Sequence, residues 1–283
     1  MTGSERILSA LERAYSPSTC VDDIAPLLRR YARLSAQMRR RYAARLHEDV
    51  AYGPRPRARM DIFVPQGDGP HPVHVFIHGG YWQELSKRQS AFAAGNFLEH
   101  GQIFVAMDYT LAPQASLAQI MAEARTGALW VLRHISRYGG DPARIHFSGH
   151  SAGAQLVAHI VSMDWRAQGY AHCPLAGAAL ISGIYDLRPL VRTYINDALG
   201  LDEAQAAAAS PLLHLPASAC PLVFSVGEIE TKAFKQQTAD YQSALRASGF
   251  ASTFVPMPGF NHFDVVLELA NAQSALFGQI VRL

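Results

Sequence analysis

A serine between small residues, a late histidine and two glutamates ahead of it are the side chains here that could do chemistry together. Ser151 lies in Gly149-His150-Ser151-Ala152-Gly153, directly after the apolar run Ile145-His146-Phe147 and directly before the helical pattern Ala154–Val161. A Gly-X-Ser-X-Gly alone is weak evidence, because glycines and serines meet by chance. Between a strand and a helix it gains force, since small neighbours let the chain turn sharply and project the hydroxyl into a cleft.

A serine hydroxyl is a poor nucleophile unless a base takes its proton. Of the twelve histidines, His150 adjoins Ser151 but is expected to diverge from it on a tight turn, and His159 lies two helical turns away. His78 belongs to a glycine loop. His262, in Pro258-Gly259-Phe260-Asn261-His262-Phe263 after the last strand, is the favoured base. Its orienting carboxylate is sought among Glu230, Glu228 and, more remotely, Asp186. Residue geometry barely separates the two glutamates, and Glu230 is preferred.

Attack on a carbonyl puts negative charge on its oxygen, which needs backbone donors. The amide of Ala152, after the serine, is one candidate; Gly79 and Gly80, in His78-Gly79-Gly80-Tyr81-Trp82, supply the others without side-chain obstruction. Tyr81, Trp82 and Tyr185 sit near these loops and are candidates to line a pocket for a planar group, although core packing accounts for each nearly as well. This acyl-transfer chemistry requires neither metal nor cofactor, and His74, His78 and His100 form no competing ligand cluster.

Such a constellation needs a scaffold that gathers residues distant in sequence. Apolar runs at 60–64, 73–77, 103–107, 178–181 and 222–226, with a further strand at 252–256, alternate with helical stretches such as Leu117–Tyr138 and 232–248. Continuously apolar strands alternating with helices indicate a mostly parallel central sheet with helices on both faces. The polar signatures all fall at the carboxyl ends of strands, where such sheets gather their sites. Residues 5–46 read as helical after a turn at Tyr15–Ser18. The seven arginines between Arg29 and Arg45 read as a solvated face beside a packing stripe.

The 283 residues allow one large α/β domain or two small ones, and 49% apolar content excludes disorder. A net charge of +2 and the lack of a second basic patch argue against a nucleic-acid partner. No apolar run is long enough for a bilayer, and the N-terminus reads as charged and helical rather than secretory. Cys20, Cys173 and Cys220 match no metal spacing and read as reduced thiols, which leads to a cytoplasmic expectation.

Six stretches carry a family resemblance: Tyr15-Ser16-Pro17-Ser18, His78-Gly79-Gly80-Tyr81-Trp82, Tyr109-Thr110-Leu111-Ala112-Pro113, Gly149-His150-Ser151-Ala152-Gly153, Ser182-Gly183-Ile184-Tyr185-Asp186-Leu187 and Asn261-His262-Phe263. Spanning almost the whole chain, they resemble α/β-hydrolases of the HGG-containing esterase group, and within it the kynurenine formamidase (arylformamidase) branch. The resemblance implies an α/β-hydrolase fold in one domain over residues 1–283. A helical extension over 1–50 would pack on or cap it, with 187–215 as a small partial cap. Glu230 directly precedes Thr231-Lys232-Ala233-Phe234, the place of the acid in formamidases, although the family usually carries aspartate there. The resemblance further implies hydrolysis of N-formyl-L-kynurenine through an acyl-serine, with a short-chain or aryl carboxylesterase as the alternative. A non-catalytic hydrolase-like interaction protein is the reading from another class, and the intact serine, loop and histidine speak against it. The expected partner is a small-molecule amide or ester, without nucleic acid or membrane, and a homodimer is left open.

Overall fold

Each expected strand is present, and one more precedes them. The computed structural model describes residues 8–283. Its strands are β1 (Leu46–Ala51), β2 (Arg59–Phe63), β3 (His71–Ile77), β4 (Ile103–Met107), β5 (Gly140–His150), β6 (Gly177–Ile181), β7 (Leu222–Ile229) and β8 (Ser252–Asn261). They form one sheet in the order β1-β2-β4-β3-β5-β6-β7-β8. The β1–β2 and β2–β4 pairs are antiparallel and all others parallel.

Helices α1 (Ala10–Ala14) and α2 (Ala25–Arg41) precede the sheet, and α3 (Ala94–Glu99), α4 (Leu117–His134) and α5 (Ala152–Val161) follow β3, β4 and β5. Two short helices, α6 (Asn196–Leu199) and α7 (Glu203–Ala208), lie between β6 and β7, with α8 (Lys232–Ala247) and α9 (Ala275–Ile280) after β7 and β8. Successive side chains on a strand face opposite ways, so a sheet covered on both faces has no polar side to show. In β3, Val75 and Ile77 pack with Val131 of α4 and Leu156 of α5, whereas Phe76 joins Phe97 of α3 and Phe277 of α9 on the other face. Ser116 begins α4 with a reciprocal capping box to Gln119, satisfying two otherwise orphaned amides. No helix among the described residues is long and apolar enough to cross a membrane.

The N-terminal helical expectation needs correction at its end. Residues 5–7 lie outside the described residues, and the helical part stops at the short turn Ala43–Arg45. From Leu46 the chain is a sheet edge, with Leu46 opposite Phe63 and Ala51 opposite Arg59. Its sequence, Leu46-His47-Glu48-Asp49-Val50-Ala51, has mostly exposed side chains and a register shift between His47 and Val50, so it shows no readable alternation.

The arginine face is also not wholly solvated. Arg39 turns inward to pair with Asp61 of β2, and lies 2.8 Å from Glu48. Buried Lys87 reaches the same Asp61 at 2.6 Å and Asp49 at 2.8 Å. A carboxylate with 0% exposure is thereby met by two cations, as a buried charge requires. The network ties α2 to the first two strands.

Candidate active site

The turn from β5 to α5 places Ser151 at φ 56° and ψ −121°, a conformation a non-glycine residue rarely holds. The two flanking glycines are needed for space. A Cβ on Gly149 would overlap the Gly153 carbonyl, and one on Gly153 would overlap the Ile77 carbonyl of β3. The Ser151 amide donates to the Ile181 carbonyl at 2.9 Å, which pins the turn between the ends of β5 and β6. Strain at a residue over-determined by its surroundings is characteristic of a functional turn.

The loop after β3 closes against this turn. A Cβ on Gly79 would lie 2.9 Å from the Ser151 Cβ and 2.8 Å from the His150 carbonyl. Gly80 has φ +93°, and Tyr81 and Trp82 follow at 49° and 60°, so the chain coils tightly enough for the Gln83 and Glu84 amides to meet the Gly80 carbonyl. Among the described residues, the amides of Gly79, Gly80 and Ala152 donate to no protein acceptor.

Support for that loop comes from residues to which the sequence alone assigns no such role, among them Asp108 and Arg57. His78 stacks on Tyr109 at 4.3 Å, and the Tyr109 hydroxyl donates to the carbonyls of His78 and Gly79. His78 Nε2 donates to Asp108 at 3.1 Å, and Arg57 holds the same carboxylate at 2.7 Å. Burial alone would raise the Asp108 carboxyl, but the His78 hydrogen bond and the His78 and Arg57 charges outweigh it and hold it below its ordinary value. The signal lay in the motifs themselves: Asp108 and Tyr109 precede Thr110-Leu111-Ala112-Pro113, at the end of the strand beside His78.

Across the sheet, Glu230 lies just beyond β7 and His262 just beyond β8. His262 Nδ1 is 2.7 Å from Glu230 Oε2. The other carboxylate oxygen accepts from the Ser182 hydroxyl at 2.6 Å and the Gly227 amide at 2.7 Å. Three donors thus surround a side chain with no exposure. Glu228 instead points outward and accepts from the Gly259 amide at 2.8 Å, while Asp186 is engaged by Arg188 at 2.7 Å. His159 faces Arg125 at 3.0 Å on the far part of α5, and burial lowers its pKa to about 4.

With Nδ1 occupied, His262 has Nε2 left for the cavity that it lines together with Ser151. This cavity of about 210 Å³ has walls from three regions. The N-terminal segment contributes Pro17, Leu28 and Tyr31, the segment after β6 contributes Tyr194, and the glycine loop contributes Tyr81. The Tyr31 hydroxyl donates to the Phe263 carbonyl, beside His262, and the Tyr81 hydroxyl to the Tyr15 carbonyl. These contacts escaped the sequence reading because an aromatic residue among arginines resembles ordinary packing.

Of the three aromatic residues expected at the pocket, only Tyr81 lines it. Trp82 is fully buried with its indole N–H donating to Gln155 at 3.2 Å. Tyr185 is fully buried as well, stacked on Tyr241 of α8 at 4.5 Å. Both fill the core beneath the site, where large apolar area is worth more than solvent contact. Among the described residues, no three His, Cys, Asp or Glu side chains are grouped to hold a metal ion.

Comparison with known proteins agrees with this geometry. The BD-FAE family model matches residues 60–172. The kynurenine formamidase of Danio rerio is 30% identical over 279 residues, covering 96% of this chain and 92% of that protein. That of Salmo salar is 34% identical over 231 residues, covering 79% and 76%. A structure from Silicibacter sp. TM1040, assigned as a candidate thioesterase, superposes with a TM-score of 0.84 at 26% identity over 96% of this chain and 98% of that one. A Pyrobaculum calidifontis esterase shares the fold at 19% identity, with a TM-score of 0.73 over 98% of each chain. The chain is therefore a hydrolase with the α/β-hydrolase fold and belongs to the kynurenine formamidase family.

Proposed function

We propose that the protein hydrolyses N-formyl-L-kynurenine to L-kynurenine and formate through a formyl-serine intermediate. The observation that carries the proposal is the buried His262–Glu230 pair at 2.7 Å, on the same cavity as a serine held in an elbow conformation. Ser151 Oγ attacks the formyl carbon while its proton passes to His262 Nε2. Glu230 fixes the His262 tautomer and stabilises the imidazolium. The free amides of Gly79, Gly80 and Ala152 receive the oxyanion. His262 then protonates the aryl nitrogen as the C–N bond breaks and kynurenine leaves. Water, deprotonated by His262, attacks the formyl-serine, and formate departs as Ser151 regains its proton.

A small cavity fits a formyl group, which has a single hydrogen beyond its carbonyl carbon. The apolar and aromatic walls from the N-terminal segment and Tyr81 suit an aryl leaving group. Both capping segments, 10–41 and 187–215, serve in this reading as the walls of the substrate pocket. The kynurenine formamidases among the relatives support the formyl amide as substrate. A cytoplasmic setting belongs to the same proposal and rests on the three free cysteines.

A short-chain esterase using the same residues is the second reading, favoured by the esterases among the structural neighbours. Measuring kcat/KM on N-formyl-L-kynurenine and on short aryl and alkyl esters tests the assignment. Higher kcat/KM on the formyl amide is expected; strong ester turnover with no formamide turnover would reject the substrate while leaving the mechanism standing.

A further inference from the structure

His150, the residue before the serine, does not diverge from the site. Its ring lines the cavity with Ser151 and His262, and its centroid is 4.7 Å from that of His262. His150 Nε2 lies 2.8 Å from the His262 carbonyl oxygen. A carbonyl only accepts, so Nε2 carries the hydrogen. Burial pushes the ring's pKa well below its ordinary value and keeps it neutral. Nδ1 is then a lone-pair acceptor, and it has no protein partner among the described residues. It sits 3.3 Å from the point a Cβ on Gly79 would occupy, beside the loop that offers its amides to the oxyanion.

Nδ1 is not sealed off from the cavity that His150 lines, so solvent reaches it in the free protein, and a substrate that displaces this solvent must give a hydrogen back or leave the acceptor desolvated. The reacting carbonyl has no hydrogen to give. An amide N–H has one, whereas an ester oxygen has only lone pairs, which Nδ1 would repel. We infer that His150 Nδ1 accepts the hydrogen of the scissile amide and makes His150 the residue that favours anilides over aryl esters. The inference rests on the formamidase reading above. It also adds to the mechanism: a hydrogen bond held on the N–H directs the nitrogen lone pair toward the proton carried by His262. A bound ester would strip the solvent from Nδ1 and return no hydrogen, so the discrimination includes that desolvation cost as well as the missing hydrogen bond.

The test compares kcat/KM on formanilide and phenyl formate, which differ at the leaving atom alone, for the wild type, His150→Phe and His150→Gln. The amide-to-ester ratio is expected to fall by about 10- to 100-fold in His150→Phe, the cost of losing one buried hydrogen bond. His150→Gln, whose carbonyl offers an acceptor, is expected to recover part of it. An equal loss on both substrates would overturn the inference and leave His150 as a support for the His262 backbone. Wild-type protein on N-methylformanilide provides the same comparison without any substitution. Turnover at least about tenfold below that of formanilide is expected, and equal turnover would overturn the inference. Wild-type turnover of phenyl formate with none of formanilide or N-formyl-L-kynurenine would instead defeat the formamidase reading, before any variant is made.

Discussion

The Ser182 hydroxyl donates at 2.6 Å to Glu230 Oε1, the carboxylate oxygen opposite the one that meets His262. With the Gly227 amide on the same oxygen, this leaves Glu230 one orientation, and that orientation aims Oε2 at Nδ1. A neutral amide at 230 would present a donor to one of these partners and lose the charge that stabilises the imidazolium. Glu230→Gln is therefore expected to lower kcat by about 10³- to 10⁴-fold. Glu228→Gln should stay within about threefold of wild type, since the exposed Glu228 side chain, near the end of β7, accepts from the Gly259 amide and takes no part in the His262 pair. Steady-state kinetics on both variants check this; the reverse order would transfer the orienting role to Glu228.

Gly79 is packed against the nucleophile too closely for a side chain. A methyl there would press on the Ser151 Cβ from 2.9 Å and displace the loop whose amides are free. Gly79→Ala is expected to keep its circular dichroism spectrum and to lose about 10²-fold or more in kcat, the effect of one misplaced oxyanion donor. Full activity would remove Gly79 from the oxyanion site.

Asp61 carries the attachment of α2 to the sheet. Its removal leaves Lys87 buried and Arg39 without its inner partner. Asp61→Ala should cost about 3–5 kcal/mol in urea denaturation, as for other broken buried pairs. Because α2 also carries Tyr31 into the cavity wall, KM should rise in the fraction that remains folded. A loss below about 1 kcal/mol would mean that the network is solvated and contributes little.

Four histidines, three of them buried and His159 half-buried, give stability a defined pH dependence. Burial lowers the pKa of His74, His146, His150 and His159, the last to about 4. The unfolded chain takes up these protons near pH 6.5, whereas the folded chain resists them. Stability is therefore complete above pH 6.5 and is lost as pH falls toward the folded values. Each such histidine contributes up to about 1.4 kcal/mol per pH unit in that window. Chemical denaturation at pH 7.5 and pH 5 should show this slope, and His159→Gln should reduce it. Unchanged stability between the two pH values would contradict the neutral state of these rings.

Much of this site could be read from the chain because its parts are local. The Gly149–Gly153 turn and the His78–Trp82 loop each follow an apolar run of strand character, and the late His262 follows the last strand. Glu230 could not be separated from Glu228 on residue geometry, since side chains two apart in a loop differ only in what folds around them. Ser182, just beyond β6, and Gly227, within β7 itself, make that difference, and the first comes from a strand distant in sequence. β1 escaped because a polar edge strand carries no hydrophobic period. Trp82 and Tyr185 were placed at the pocket because a large aromatic residue suits a wall and a core alike. The wall itself joins Pro17, Tyr31, Tyr81 and Tyr194, a proximity that no local pattern encodes.

The central claim is that Ser151 is the nucleophile, and covalent labelling tests it most directly. A fluorophosphonate should add to folded wild-type protein at a single site, with the mass increase mapping by peptide analysis to the segment that contains Ser151. Ser151→Ala should take up no label while keeping its fold. Labelling that persists in Ser151→Ala, or folded wild-type protein that takes up none, would contradict the account.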